Sequence, residues 1–423
     1  MVYQSRAGYV GALVFLTVAI SHAAQRFTHA EIYATLLLAF FVMLAWDLHA
    51  RILHNCRYRR PWIGVGRWRP WSAFVRFLVN GAAFGSVALL VHVHPYFSAS
   101  SWDFTRYFYA STLALYLLLG YPVQLVTLRY LGHDRYEFGD YALLTLAGLR
   151  AFGRFLRGRG SRRLRSARVR KMALVYLVGL FFLTLMTKFI DNELGAFVSA
   201  VQNYQALPGD ASFFLHYRGV YRILYHLIFV LDVGIAVIGY TVVSRWLDNR
   251  TRSVDSTLYG WLVALACYPP MNSGFTSKFI NHGGSGSTPL ITSEPVLMFL
   301  MALILMSFCV YVWATLTLGF KFSNMTNRGI VTHGPYRYLR HPAYASKNFA
   351  WWLDNTQVFL NGWWVFGLLA WNFIYVQRGL TEERHLGKDP EYRAYCRRVT
   401  RRFLPPLPRW RSAPGRQYAS DHR

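Results

Sequence analysis

The long apolar runs of this 423-residue chain constrain its fold more than any other feature. A helix needs about 20 residues to cross a bilayer, and several runs reach or approach that length. Charged residues make up only 15% of the chain, whereas soluble proteins average about 25%. The predicted spans, about ten in all, lie near residues 9–24, 31–47, 73–93, 106–128, 172–190, 223–243, 258–271, 296–318, 347–361 and 363–378. The predicted fold class is therefore all-α, a polytopic transmembrane helical bundle.

The distribution of lysine and arginine between successive loops predicts how the bundle is oriented. The loops 48–72, 129–171 and 244–253 are rich in arginine, whereas the alternate loops carry few cations and several acids. Because short loops rich in cations stay on the cytoplasmic side, we expect both termini and the segment 321–346 to face the cytoplasm. The expected location is an inner or plasma membrane.

The net charge of +27 has two explanations, which imply different partners. Cations in loops beside membrane spans are attracted to anionic lipid headgroups, with about 1 kcal/mol for each cation near the surface. Nucleic-acid binding is the alternative, but the chain shows no recognisable nucleic-acid module. The position of the cations therefore favours membrane lipids as partners and argues against nucleic acid.

One of the basic loops also has helical periodicity. In YALLTLAGLRAFGRFLRGRG, residues 141–160, apolar and cationic side chains fall on separate stripes of a helix. The apolar stripe consists of Leu144, Phe152, Phe155 and Leu156, and the cationic stripe of Arg150, Arg154 and Arg157. This pattern predicts an amphipathic helix that lies in the headgroup plane.

The cysteines indicate neither a disulfide framework nor a metal site. The chain has four, at positions 56, 267, 309 and 396, and none forms a CxxC pair. Since paired cysteines at short spacing are the usual signal for a structural metal, no metal is expected.

The segment HGPYRYLRHPAY, residues 333–344, is polar and rigid although it lies between two apolar runs. Gly334 and Pro335 are expected to end one helix, and Pro342 to begin another. The cations are Arg337, Arg340 and His341, and the tyrosines are Tyr336, Tyr338 and Tyr344. Guanidinium groups bind carboxylates, and tyrosine faces attract cations such as a sulfonium. The segment predicts a site for a zwitterionic ligand or, as the alternative, an aromatic and cationic belt at the membrane interface.

A second group of residues follows the last predicted span. Glu382 and Glu383 are adjacent just beyond it, in a chain that has only 19 acids. In the next predicted helix Tyr392, Tyr395 and Val399 share one face, as i, i+3 and i+7 positions do. This face is expected to dock on the rest of the protein.

Three segments follow one another in the C-terminal part of the chain: VTHGPYRYLRHPAY, TEERHL and EYRAYCRRVTRRFLP. Together they resemble the isoprenylcysteine carboxyl methyltransferase family, integral membrane enzymes that also include phospholipid methyltransferases. The resemblance covers about residues 296–408. It implies a C-terminal membrane methyltransferase core, with S-adenosylmethionine as cofactor at the cytoplasmic membrane surface. The cofactor-binding residues that it implies are Tyr336, Arg340, His341, Tyr344, Glu382 and Glu383. The chain departs from the family's pattern at Arg328, where a histidine is common, and at Ser346, where a glycine is common.

The resemblance also implies roles for these residues. Arg340 and His341 are assigned to the methionyl carboxylate of the cofactor. Tyr336 or Tyr344 is assigned to the sulfonium, and one glutamate to the amino group or a ribose hydroxyl.

The candidates for catalysis are Arg340, Glu383 and Asp354. Acids within the predicted spans are few, and an ionisable group at such depth is costly and usually faces a cavity. Of Asp232 and Asp354, the second is favoured as an acceptor-site residue because it lies ten residues after Tyr344, on the helical hairpin that is expected to border the cofactor.

The chain is expected to divide into an accessory transmembrane bundle with basic loops, residues 1–220, and the methyltransferase-like core, residues 221–423. The methyl acceptor is expected to be a lipid, a lipidated group such as a prenylcysteine, or another hydrophobic molecule. The alternatives are an NADPH-dependent membrane reductase of the sterol-reductase kind, against which the Arg-His-Pro motif argues, and a non-catalytic membrane protein.

Overall fold

The structure, a computed structural model, describes residues 3–23, 25–57, 64–131, 141–158, 167–273, 291–356 and 365–404. Within these ranges it contains twelve α-helices, a few 3₁₀ turns and two short strands. The helices are α1 (Ala7–Ser21), α2 (His29–Arg57), α3 (Pro70–Val93), α4 (Asp103–Leu131), α5 (Tyr141–Leu156), α6 (Ala167–Gln205), α7 (Phe213–Thr241), α8 (Leu258–Leu265), α9 (Glu294–Leu318), α10 (Pro342–Asp354), α11 (Val365–Leu386) and α12 (Pro390–Arg398). The all-α prediction is confirmed.

Six of the described helices are long and apolar enough to cross a membrane: α2, α3, α4, α6, α7 and α9. Each coincides with one of the predicted spans. Three other predicted spans fall on shorter helices: α1 has 15 residues, α8 has eight and α10 has 13. The last falls on α11, whose C-terminal part is charged. The total of about ten spans stays a prediction.

Helix α7 lies at the centre of the described bundle. Its residues 230–240 are all buried, and it packs against α1, α6 and α9. A helix that is apolar on every side is buried on every side, as the run IFVLDVGIAVIGY in this helix indicates. Helix α9 in turn packs along α10, which begins in the Arg-His-Pro motif.

Helix α1 approaches α9 closely. A Cβ atom added at Gly8 would lie 2.0 Å from the carbonyl oxygen of Leu316, so only glycine fits there without a shift. The hydroxyl groups of Tyr9 and Thr317 are 2.6 Å apart. Contacts between α1 and α9, and between α6 and α7, thus cross the predicted boundary near residue 220. The division into accessory bundle and core stays a prediction.

The amphipathic segment forms helix α5, which packs against α3 and α6. The helix that the spacing predicted is therefore present. Phe152, Phe155 and Leu156 are exposed, and so are the three arginines of the cationic stripe. The side chain of Leu144 lies outside the described part of the structure.

The two strands form a short antiparallel pair, Ser253–Val254 with Thr326–Asn327. This pair fixes the loop before α8 against the segment that leads to the Arg-His-Pro motif. Asn327 Nδ2 donates to Asp389 at 2.7 Å, and Arg252 pairs with Glu391 at 2.8 Å. Both contacts hold the start of α12.

The docking face predicted for the C-terminal helix is confirmed. Tyr392, Tyr395 and Val399 are buried together against the preceding segments. The hydroxyl of Tyr395 donates to the carbonyl of Tyr336 at 2.7 Å. Helix α12 therefore packs directly on the motif that the sequence singles out.

Candidate active site

The Arg-His-Pro motif lies where a turn, a helix start and the C-terminal segment meet. Gly334 begins a 3₁₀ turn at φ +58°, a backbone conformation that favours glycine, and an added Cβ would lie 2.4 Å from Thr317 Oγ1. Pro342 then occupies the first position of α10, where the missing N–H costs nothing. The local sequence therefore places Arg340 and His341 on the short connection between the two elements.

Arg340 binds the C-terminal part of the chain. Its Nε donates to the carbonyl of Val399 at 2.7 Å and its Nη2 to that of Cys396 at 3.1 Å. Its Nη1 lies 3.2 Å from Glu383 Oε2. The main-chain amide of Arg340 donates to the carbonyl of Arg401 at 3.0 Å. Arg340 thus fastens residues 399–403, here called the C-terminal strap, across the motif.

The adjacent glutamates point to different partners. Glu383 is paired with Arg340, with His341 Nε2 at 3.2 Å and with Arg402 Nε at 2.9 Å. Glu382 instead accepts a hydrogen bond from the hydroxyl of Tyr344 at 2.9 Å. Successive residues of a helix point about 100° apart, so Glu383 faces the strap and Glu382 faces Tyr344.

The environment of Glu383 keeps it ionised. Burial by itself would raise the pKa of Glu383, but the hydrogen bond with His341 and the two neighbouring guanidinium groups outweigh it and lower the pKa to about 2. A carboxylate held in this way is a strong anchor for cations. Glu383 therefore holds the strap and the motif together.

The imidazole of His341 lies between two rings. It stacks on Tyr344, with centroids 5.5 Å apart, and on Phe403 of the strap, with centroids 5.1 Å apart. A Cβ atom added at Gly379 would lie 2.6 Å from Phe403. Gly379 of α11 thus leaves room for Phe403 of the strap against this helix.

Beneath the motif lies a cavity of about 390 Å³, within the range of about 300–1,000 Å³ that small-molecule sites occupy. Five of the predicted cofactor-binding residues line it: Tyr336, Arg340, His341, Tyr344 and Glu382. The other polar and aromatic residues that line it include Tyr268, Tyr311, Asn324, Lys347, Tyr375 and Arg378. The structure thus brings most of the predicted set around one space.

Two predicted residues are not among the described residues that line this cavity. Glu383 lies behind the motif, in contact with the strap. Asp354 is the last residue of α10, is exposed, and acts electrostatically on Tyr221 and Tyr225 of α7. The roles predicted for Glu383 and Asp354 stay predictions.

Arg378 is the cavity residue that sequence reasoning missed most clearly. The residue is 7% exposed, and its Nη2 donates to Asn324 Oδ1 at 2.6 Å. Its guanidinium carbon lies 5.1 Å from the ring centroid of Tyr344. The sequence holds one signal for it: Arg378 precedes Glu382 by four residues, so both lie on one face of α11. The positive-inside rule also predicts an arginine at the end of an apolar span. The spacing therefore does not distinguish a cavity residue from an ordinary cation at the membrane interface.

In the described part of the chain, no group of three or more His, Cys, Asp or Glu side chains lies close enough to hold a metal ion. The polar groups that line the cavity instead include two guanidinium groups, an ammonium, an imidazole, a carboxylate and several phenols. Such groups bind organic ions.

The described architecture is that of a polytopic membrane protein with a polar cavity beneath the Arg-His-Pro motif. Residues 296–388 match the model of the isoprenylcysteine carboxyl methyltransferase (ICMT) family. The matched region runs from α9 to just past α11, and the match confirms there the resemblance that the motifs predicted. With the membrane-spanning helices, it supports an integral membrane methyltransferase. No curated protein and no solved structure matches the chain.

Proposed function

We propose that this protein is an S-adenosylmethionine-dependent methyltransferase that acts on a hydrophobic acceptor at the cytoplasmic face of a membrane. The observation that carries the proposal is the cavity, most of whose lining residues belong to the family-matched region, because the lining combines buried cations, an acid and several ring faces. A donor that carries a carboxylate, an amino group and a sulfonium needs this combination of partners.

The residues of the cavity fit that donor. Arg340 is engaged with the strap and with Glu383, so Arg378 is the guanidinium best placed to hold the carboxylate, beside His341. The ring faces of Tyr336 and Tyr344 suit the sulfonium, and Glu382 suits the amino group or a ribose hydroxyl. When bound, the donor supplies an electrophilic methyl group. The protein's part is to align the acceptor and to exclude water, which the strap favours by covering His341.

The acceptor is proposed to be a lipid, a lipidated group such as a prenylcysteine, or another hydrophobic molecule. Phe189, Leu318 and Phe322 give the cavity an apolar wall. Phe189 and Leu318 belong to α6 and α9, two of the helices long enough to span a membrane, and Phe322 follows α9.

Transfer of a radiolabelled methyl group tests the proposal. Membranes that contain the protein are expected to pass label from S-adenosylmethionine into a hydrophobic, solvent-extractable product. Arg378→Met should abolish the transfer, because the cavity loses the guanidinium proposed to hold the donor's carboxylate. Arg384→Met, on the exposed side of the same helix, is the matched control and should retain it. Equal labelling with wild-type and Arg378→Met protein would contradict the proposed site.

The cytoplasmic orientation is tested by cysteine labelling. Arg157 is exposed at the end of the basic helix α5, and the positive-inside rule places it in the cytoplasm. In a cysteine-free background, Arg157→Cys should resist an impermeant thiol reagent in intact cells and react after permeabilisation. Labelling in intact cells would place the cavity on the side that lacks the donor.

The partners proposed for the basic loops are anionic headgroups. Replacing Arg150, Arg154 and Arg157 together by glutamate should raise KM for a lipid acceptor in anionic membranes, since each lost cation removes about 1 kcal/mol of attraction. The affinity for S-adenosylhomocysteine should stay the same, because α5 contributes none of the described residues that line the cavity. Loss of that affinity would mean that the N-terminal half shapes the donor site.

A further inference from the structure

Tyr268 brings a hydroxyl group to the cavity from outside the family-matched region. It follows α8, whereas the match covers residues 296–388, and it lines the cavity beneath the Arg-His-Pro motif. Its ring packs edge-on against Phe181 and Phe182 of α6, with centroids 6.4 Å and 5.1 Å apart. The position of this hydroxyl is therefore set by helices that the family match does not include.

Two side chains from the matched region donate to the Tyr268 hydroxyl. Arg378 Nη2 lies 3.3 Å from its oxygen and Asn324 Nδ2 lies 3.1 Å from it. The other contact of Asn324 fixes the orientation of its amide, because Asn324 Oδ1 accepts from Arg378 Nη2 at 2.6 Å and a guanidinium has no lone pair to offer. Asn324 Nδ2 must then face Tyr268 as a donor.

The hydrogen of the Tyr268 hydroxyl is left to donate elsewhere. A guanidinium and an amide nitrogen can only donate, so both lone pairs of the phenol oxygen are occupied by Arg378 and Asn324. Among the described residues, none accepts the remaining hydrogen. Since Tyr268 lines the cavity, an oxygen atom of a bound ligand can accept it.

We propose that Tyr268 is a further cofactor-binding residue, whose hydroxyl donates to the carboxylate of S-adenosylmethionine beside Arg378. The inference rests on the proposed function and adds to it a residue that the family match does not contain. A carboxylate has two oxygens, so one can accept from the guanidinium and the other from the hydroxyl. An amino group cannot take this place, because it needs an acceptor and the lone pairs of Tyr268 are occupied.

Calorimetry with two ligands that differ only in the carboxylate tests the assignment. S-adenosylhomocysteine and its decarboxylated analogue are titrated against the full-length protein in nanodiscs. Tyr268→Phe keeps the ring that packs on α6 and removes only the hydroxyl. It should weaken the binding of S-adenosylhomocysteine about tenfold or more, as the loss of a hydrogen bond to a charged group does. The affinity for the decarboxylated analogue should stay the same.

Tyr259→Phe is the matched control. Tyr259 lies on α8, and its hydroxyl donates to Gln377 of α11 at 3.0 Å, so this variant also loses a hydroxyl contact with the helix that carries Arg378. Tyr259 is 46% exposed and is not among the described residues that line the cavity. The variant should therefore bind both ligands like the wild type.

Replacing Tyr268 by 3,5-difluorotyrosine separates direct donation from mere support of Arg378. The fluorinated phenol ionises at a lower pH than tyrosine, and a phenolate has no hydrogen to donate and repels a carboxylate. The affinity for S-adenosylhomocysteine should fall as this phenol ionises. If Tyr268 acted only as an acceptor for Arg378, ionisation would strengthen that contact and the affinity would not fall. The wild-type protein, measured over the same pH range, accounts for the other titratable groups around this ring: Tyr240, Cys267, Tyr311, Tyr344, Tyr375 and Arg378.

The outcomes separate this inference from the proposed function. Equal loss of affinity for both ligands in Tyr268→Phe, or no loss for either, overturns the inference and leaves the proposed function standing. An affinity of the difluorotyrosine variant that does not fall as its phenol ionises overturns the inference in the same way. A wild-type protein that binds neither ligand overturns both.

Discussion

Replacing Glu383 by glutamine is expected to detach the C-terminal strap and to remove measurable binding of S-adenosylhomocysteine. The side chain of Glu383 is 10% exposed and is paired with Arg340, His341 and Arg402. Removing one partner from a buried ion pair costs about 3–5 kcal/mol, because the remaining charge is left uncompensated. Calorimetry measures the lost affinity, and hydrogen exchange of the strap amides measures its release.

The matched control for Glu383 is Glu391→Gln. Glu391 also pairs with an arginine, Arg252 at 2.8 Å, but its side chain is 53% exposed. An exposed pair contributes about 0–1 kcal/mol, so this variant should bind like the wild type. Protection of the strap amides that is unchanged in Glu383→Gln would show that Glu383 does not hold the strap.

The contribution of Glu383 to stability depends on pH, so the pH at which Glu383→Gln is compared with the wild type matters. The pKa of Glu383 is lowered from 4.5 to about 2, so its contribution to stability is fully present above about pH 4.5 and is lost as the pH falls towards 2. Measurements at pH 7 therefore report the full effect of the substitution.

Gly8→Ala is expected to destabilise the whole protein, although it adds a single methyl group at the opposite end of the chain. The added Cβ would lie 2.0 Å from the carbonyl oxygen of Leu316, and a main-chain atom cannot move aside like a flexible side chain. Overpacking of this kind costs about 1–3 kcal/mol. The shift of α9 should also weaken donor binding, because Thr315 and Leu318 of that helix line the cavity. Thermal unfolding and calorimetry measure the two effects.

Gly179→Ala provides the control for Gly8. Gly179 lies within α6, and a Cβ added there would meet nothing within 4 Å. Alanine is a better helix former than glycine by about 1 kcal/mol, so this variant should be as stable as the wild type or more stable. If Gly8→Ala were also as stable as the wild type, α1 would be only loosely packed against α9. That result would agree with an accessory helix outside the core.

Much of the fold could be predicted because the physical signals are strong and local. Apolar runs of membrane length locate the six long helices, since a bilayer leaves few other structures open to them. The spacing of Tyr392, Tyr395 and Val399 predicts the docked face of α12, which the structure confirms. Proline at position 342 predicts the start of α10.

The finer arrangement of the site depends on tertiary contacts that spacing does not encode. Sequence alone treats Glu382 and Glu383 as equivalent, whereas the bundle turns one to the cavity and the other to the strap. From the sequence alone, Arg378 and Lys347 are indistinguishable from other cations near a membrane boundary. The fold places both in one cavity. Arg340, predicted to bind the cofactor, lines the cavity and also anchors residues that lie more than fifty positions away.

The central claim is that the cavity beneath the Arg-His-Pro motif binds a sulfonium methyl donor. Calorimetry of the purified full-length protein with S-adenosylhomocysteine and, separately, with NADPH tests it most directly. We predict saturable binding of S-adenosylhomocysteine that Arg378→Met abolishes, and no binding of NADPH. Saturable binding of NADPH with no binding of S-adenosylhomocysteine would contradict the claim and favour a membrane reductase.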